Sequence, residues 1–178
     1  MIITITGFPG SGNSTVAKQL AKKLGYKHYS AGDMRRQMAK EKGITLAELN
    51  KIGETESWTD IEADKRIEKL GLEEDNFVVD AKIGYHFIPN SFKIWLKADI
   101  KERAKRISQH KRTEETFQTI EEVEESLKKR LESDKKRYRK YYNLETYNGK
   151  GFDFTLDTSN LKKDEVVDII WKKVLEKK

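Results

Sequence analysis

Ile2-Ile3-Thr4-Ile5-Thr6-Gly7-Phe8-Pro9-Gly10-Ser11-Gly12-Asn13-Ser14-Thr15 decides the fold of this 178-residue chain. The first five residues are β-branched and mostly apolar, as in a buried parallel strand. Gly7, Gly10 and Gly12 then cluster with Pro9 in a turn, and Val16, Ala17, Leu20, Ala21 and Leu24 mark one face of a following helix. Gly7 to Ser14 fits the phosphate-binding pattern G-x-x-x-x-G-K-S/T at every defined position but one, where Asn13 replaces the lysine. Glycines let successive N–H groups turn toward an anion, and a helix N-terminus adds partial positive charge. Neither effect needs the lysine, so Gly7, Gly10, Ser11, Gly12, Asn13, Ser14 and Thr15 are read as a phosphate cradle. Ser14 keeps a hydroxyl for a metal. A ligand-free glycine turn is the bland alternative, and the strand-turn-helix context weighs against it.

The length suits one domain, residues 1–178, and no proline-rich linker, repeat or low-complexity segment divides it. No apolar run is long enough for a membrane span or a signal peptide, so a cytoplasmic, monomeric protein is expected. The absence of cysteine excludes disulfides and thiolate metal sites, and three scattered histidines argue against a transition-metal centre. Mg²⁺ arriving with a nucleotide is the expected metal. Charged residues make up 37% of the chain and the net charge is +6, which favours an anionic ligand. Nucleic acid would satisfy that charge as well as a nucleotide, but is the less favoured partner.

Strands alternate with helices along the rest of the chain. Tyr26–Ser30 reads as a second strand and Ala31 opens a helix. Thr45–Leu70 carries two helical patterns broken near Gly53, with Asp60 and Asp64 one turn apart on one face. Phe77–Asp80 is an apolar strand ending in a carboxylate, the position at which phosphate-loop proteins orient water around Mg²⁺. Gly84–Pro89 is rich in turn formers, and its His86 is given no catalytic role. Phe92–Lys97 is a fourth strand. Ile120–Tyr142 is a long charged helix on which Arg130, Asp134 and Arg137 share a stripe. Phe152–Ser159 alternates as a last strand, and an amphipathic helix with Val166, Val167, Ile170 and Val174 inward closes the chain.

Several of these stretches together resemble the nucleoside monophosphate kinases, most closely the archaeal type of cytidylate kinase. Ser30, Gly32, Asp33 and Arg36 fall on the Ser/Thr-Gly-Asp-x-x-Arg segment of that family, and the resemblance spans nearly the whole chain. It implies an α/β, P-loop NTPase-type three-layer fold with a five-stranded parallel sheet, a helical acceptor-binding segment at about 31–70 and a lid at about 107–140. It also implies transfer of the γ-phosphate of ATP to CMP or dCMP, with Mg²⁺. Ser30, Asp33 and Arg36 would bind the acceptor, Arg36 at its α-phosphate, and Asp60 and Asp64 would border the base unless they form a solvated face. Asp80 would serve catalysis and, with Ser14, the metal. Where the family shows Asp/Glu-Gly-Arg this chain has Asp80-Ala81-Lys82, and Lys82 keeps the charge without the guanidinium fork. Arg106, in a segment like the family's Arg-Ala-x-Arg helix, would touch the donor, with His110, Lys111 and Arg112 one turn on or just beyond. Arg130 and Arg137 would close over the phosphates and carry more of the charge because Asn13 carries none. AMP or UMP as acceptor, or a non-catalytic nucleotide- or RNA-binding protein, are the alternative readings.

Overall fold

The computed structural model describes residues 1–109 and 117–177. Five parallel strands, β1 (Ile2–Gly7), β2 (Lys27–Ser30), β3 (Phe77–Asp80), β4 (Phe92–Lys97) and β5 (Phe154–Asp157), form one sheet in the order β2-β3-β1-β4-β5. Ile3 pairs with Val78 and Phe92, and Ile5 with Asp80 and Ile94, so the strands end together on one side. In an open parallel sheet that carboxyl edge is where ligands bind.

Alternation along the strands sorts side chains into two buried layers. Ile3, Ile5, Val78, Ile94 and Leu96 face helices α1 (Asn13–Leu24) and α8 (Lys163–Leu175), packing on Val16, Leu20, Val166, Val167, Ile170 and Val174. On the opposite face Phe77 and Val79 meet Ile67 of α4 (Trp58–Glu73) and Ile88, which follows the short helix α5 (Gly84–Phe87). Beside that layer α2 (Ala31–Glu41) and α3 (Leu46–Thr55) join α4 around Met38, Leu49 and Ala63. Helices α6 (Ile100–Gln109) and α7 (Ile120–Tyr142) share Ala104, Val123 and Leu127. This is the expected three-layer α/β fold.

Local signals explain the helix ends. Thr45 and Glu48 form a reciprocal capping box at the start of α3, and the Thr119 hydroxyl accepts from Glu122 N at the start of α7. Asn143, at φ 53°, ends α7 in a left-handed cap.

One expected boundary is corrected. The break expected near Gly53 falls instead at Glu56-Ser57, and Gly53 lies within α3. A Cβ there would come within 2.7 Å of Thr59 Oγ1, so the glycine permits a close α3–α4 approach rather than ending a helix. His110, Lys111 and Arg112, expected in the lid, lie outside the described residues. Among the described residues no helix is long and apolar enough to cross a membrane.

Candidate active site

The turn after β1 takes its shape from two glycines in the left-handed region, Gly10 at φ 88° and Gly12 at φ 91°. Ser11 N donates to Phe8 O, which closes the turn. Asn13, Ser14 and Thr15 form the first turn of α1, whose N–H groups have no partner within the helix and point out of its end. The turn therefore presents backbone N–H groups at the start of α1.

Asn13 turns its amide oxygen inward, where Oδ1 is buried without a hydrogen-bond partner, 2.6 Å from the place a Cβ on Gly7 would take. Its side chain packs into the loop and supplies no charge. The Ser11 hydroxyl is likewise buried and unpartnered.

Two arginines of α6 hold the loop from behind. Arg103 donates to Pro9 O (3.2 Å) and Ala98 O (3.0 Å), with its guanidinium 5.0 Å from the centre of the Phe8 ring. Arg106 donates to Thr158 O (2.6 Å) and Thr158 Oγ1 (3.0 Å), beyond the end of β5, and more weakly to Ser11 O (3.4 Å). The sequence points to Arg106 of this segment as a contact to the donor; in the structure both Arg103 and Arg106 donate to carbonyls of the loop. Their i, i+3 spacing, which puts both on one helix face, was the available signal.

At the mouth of the loop the strand ends converge on Asp80. Its Oδ2 accepts from Ser14 Oγ (2.7 Å) and Ser30 Oγ (3.0 Å), and His28 Nε2 lies 2.8 Å from its Oδ1. The register that pairs Ser30 with Asp80 brings the carboxyl ends of β2 and β3 level. Ser14 and Asp80, expected at a shared metal, stand in contact, and Ser30, expected in an acceptor pocket, donates to the same carboxylate. His28 was not foreseen, because only the β2–β3 register puts it beside this carboxylate. For a divalent cation the donor set is suitable: a carboxylate and a hydroxyl are hard oxygen ligands, and Mg²⁺ takes a few of these and fills its octahedron with water and phosphate oxygens. Among the described residues there is no group of three His, Cys, Asp or Glu that would cage a metal by itself.

At the start of α2 Arg36 and Asp33 pair with each other, Arg36 Nη1 donating to Asp33 Oδ1 (2.7 Å), and both are exposed. The neighbouring Arg35 points inward, to Thr59 O (2.9 Å), Asp60 Oδ1 (3.1 Å) and Asn50 Oδ1 (3.0 Å), and ties α2 to α3 and α4. Asp60 and Asp64 are buried, which removes the solvated-face alternative. Asp60 accepts from Arg137 Nη1 through both oxygens, and Asp64 accepts from the Tyr142 hydroxyl (2.7 Å). Burial, with the Asp60 charge beside it, pushes the Asp64 carboxyl up to about 7 against the Tyr142 hydrogen bond.

A stability signature follows. An unfolded aspartate titrates near ~3.9, so between about pH 4 and 7 the folded chain binds the proton that the unfolded chain has lost. Stability from this group is full below that window and falls as pH rises through it, by at most about 1.4 kcal/mol per pH unit. Asp64→Asn should flatten the decline, seen by comparing urea midpoints at pH 5 and 8. Equal declines in variant and wild type would place the Asp64 titration elsewhere.

The α7 stripe divides. Arg130 is exposed and has no ion pair among the described residues. Arg137 is buried between two carboxylates, donating through Nη1 to Asp60 and through Nη2 to Asp134 Oδ1 (2.7 Å), while its Nε is unpartnered. Asp134 also accepts from Lys82 Nζ (2.5 Å) and from the Tyr147 hydroxyl (2.9 Å). Burial pushes the Lys82 ammonium down to about 8, opposed by Asp134 and assisted by the Arg130 charge. The Tyr147 ring stacks on Phe8 at 5.8 Å.

A sequence profile of the cytidylate kinase-like family matches residues 2–160. The chain belongs to that family. As a member of the cytidylate kinase-like family it is a kinase, an enzyme of phosphoryl transfer. It is 36% identical to a cytidylate kinase of Archaeoglobus fulgidus over 179 aligned residues, covering 100% of this chain and 97% of that protein. With a cytidylate kinase of Natronomonas pharaonis it shares 35% identity, covering 96% of this chain and 87% of the relative. Among solved structures, a shikimate kinase from Bacteroides thetaiotaomicron superposes with a TM-score of 0.68 over 99% of this chain and 97% of the other, at 15% identity. That last likeness is one of fold alone. The two chains share the α/β architecture of helices packed around a parallel sheet.

Proposed function

We propose that this chain transfers the γ-phosphate of ATP to CMP or dCMP, with Mg²⁺, giving ADP and CDP or dCDP. The observation that carries the reading is the convergence of the backbone cradle, Ser14 and Asp80 with a helical acceptor side, in a chain whose relatives bear the name cytidylate kinase. No covalent intermediate is needed. Two anionic nucleotides must be aligned, their repulsion neutralised and water excluded.

In this reading residues 1–178 are one domain, with the acceptor segment at about 31–70 and the lid at about 107–140. Gly7, Gly10, Ser11, Gly12, Asn13, Ser14 and Thr15 hold the donor phosphates through backbone N–H groups, and Arg106 fixes the loop against the turn after β5. Ser14 and Asp80 hold the metal, Asp80 through water. A divalent cation there supplies charge neutralisation on the β- and γ-phosphate oxygens. Arg36 and Lys82 take the acceptor's phosphate, Ser30 and Asp33 line its pocket, and Asp60 and Asp64 border its base. Arg130 and Arg137 engage the transferring group when both nucleotides are bound.

Two variants test individual roles. Arg36→Ala should raise the acceptor KM by roughly 1.5–3 kcal/mol of lost charged hydrogen bonding, with little change in ATP affinity. Unchanged acceptor KM and kcat would remove Arg36 from the site. Asn13→Lys should leave ATP binding near wild type, because the cradle is backbone, and raise the chemical step by about tenfold through added charge at the β–γ bridge. Single-turnover kinetics at saturating Mg²⁺ and both nucleotides read that step apart from product release. Equal or slower chemistry in a folded Asn13→Lys variant would mean that the arginines already supply the charge.

Acceptor choice is tested with a panel of CMP, dCMP, UMP and AMP against ATP and Mg²⁺. A kcat/KM for CMP or dCMP more than about tenfold above the others supports the proposal. Preference for AMP or UMP would replace the acceptor, and turnover of none would make the chain a nucleotide- or RNA-binding relative.

A further inference from the structure

We infer that Asp134 is a positioning residue that fixes the Lys82 ammonium where the acceptor's phosphate arrives. The inference rests on the proposed contact between Lys82 and that phosphate.

Lys82 stands two residues beyond the end of β3, at a position where a guanidinium would orient itself by its planar fork. A lysine is a point charge on a flexible four-carbon stem, so its direction must come from a neighbour. Asp134 provides one. It is 1% exposed and accepts three hydrogen bonds from three segments: Lys82 Nζ after β3, Arg137 Nη2 one turn on in α7, and the Tyr147 hydroxyl in the loop after α7. A buried carboxylate with this many donors is held in place from several sides.

The donors are themselves anchored. Arg137 is clamped on Asp60 of α4, and the Tyr147 ring lies on Phe8 of the phosphate loop and against Trp95 of β4. Asp134 is therefore tied to the acceptor-side helices through Arg137 and to the donor-side loop through Tyr147. One donor hydrogen of the ammonium is used on Asp134 and two remain, while 29% of the Lys82 side chain is exposed. The ammonium is directed without being consumed. Holding the two phosphate anchors in one frame is the condition for an in-line reaction.

Steady-state kinetics of Asp134→Asn, Tyr147→Phe, Lys82→Met and the two double variants with Lys82→Met decide the matter, with CMP varied at saturating ATP and Mg²⁺. Asp134→Asn should raise the acceptor KM about tenfold, and Tyr147→Phe, which keeps the ring on Phe8 and deletes the donor, about threefold. The donor KM should stay within about twofold in both. In the Lys82→Met background neither substitution should add to the loss, because its effect passes through the missing ammonium. A purely structural role would lower thermal stability and leave that non-additivity absent. An acceptor KM equal to wild type in Tyr147→Phe and in folded Asp134→Asn, or the same rise with and without Lys82, overturns the inference. Should Asp134→Asn fail to fold, Tyr147→Phe alone carries both outcomes. Wild-type protein that turns over no monophosphate would refute the proposed function, whereas normal wild-type turnover with unaffected variants refutes only the role of Asp134.

Discussion

Replacing Arg137 by alanine is expected to cost about 3–5 kcal/mol of folding stability, the range for removing one partner of a buried ion pair. The guanidinium lies between Asp60 and Asp134, which are 3% and 1% exposed, and each would keep only part of its hydrogen bonding without it. Asp60 would retain Arg35, and Asp134 would retain Lys82 and Tyr147. Those survivors keep the loss within a range that a typical domain, stable by roughly 5–15 kcal/mol, can survive. Arg137→Lys should fall between alanine and wild type, since an ammonium reaches one carboxylate but cannot span two. Urea unfolding measures the difference. A loss below about 1 kcal/mol for the alanine variant would mean that the buried network contributes no more than a surface pair. The same substitution should lower kcat more than it weakens ATP binding, as the proposed contact with the transferring group requires. Equal loss of ATP affinity and of kcat/KM, with kcat preserved, would assign Arg137 to ground-state binding.

Asp80→Asn is expected to lower kcat by about 10²–10³, the effect of removing one preorganised charge partner from a reacting site. Asparagine preserves the shape and one acceptor for Ser14 and Ser30, so folding should change little, while the charge that would hold a hydrated cation is lost. The apparent affinity for Mg²⁺ should weaken alongside the rate. His28→Ala, which removes the neighbour of Asp80 Oδ1, should reproduce the effect at about a tenth of its size, as supporting residues of metal ligands do. A kcat for Asp80→Asn within about threefold of wild type would move the metal and the catalytic carboxylate elsewhere.

The glycine turn after β1 was legible in the sequence because its geometry needs glycines where φ is positive, and few other residues accept that conformation. The sheet was legible because β1, β3 and β4 are apolar runs between polar turns. The capping threonines that start α3 and α7 announce those helices in the same local way.

What escaped reading depends on contacts between distant parts of the chain. The Arg137–Asp60 pair joins residues 77 apart, and His28 reaches Asp80 across 52. Nothing local distinguishes a charged residue on a wet helix face from one paired in the interior. Asp60 and Asp64, one turn apart, fit either reading. Arg35 and Arg36 are neighbours of the same type, and only the packing of α2 on α4 turns Arg35 toward Asp60 and leaves Arg36 exposed. Gly53 misled for a related reason: glycine marks a helix end and a close helix contact with the same letter.

The central claim is phosphoryl transfer between nucleotides, and ³¹P NMR of the protein with ATP, CMP and Mg²⁺ observes it bond by bond. The account requires the ATP γ-signal to decay as the α- and β-signals of CDP and of ADP grow in equal amounts, with no inorganic phosphate ahead of them. An unchanged spectrum, or ADP and inorganic phosphate forming while CMP persists, would contradict it.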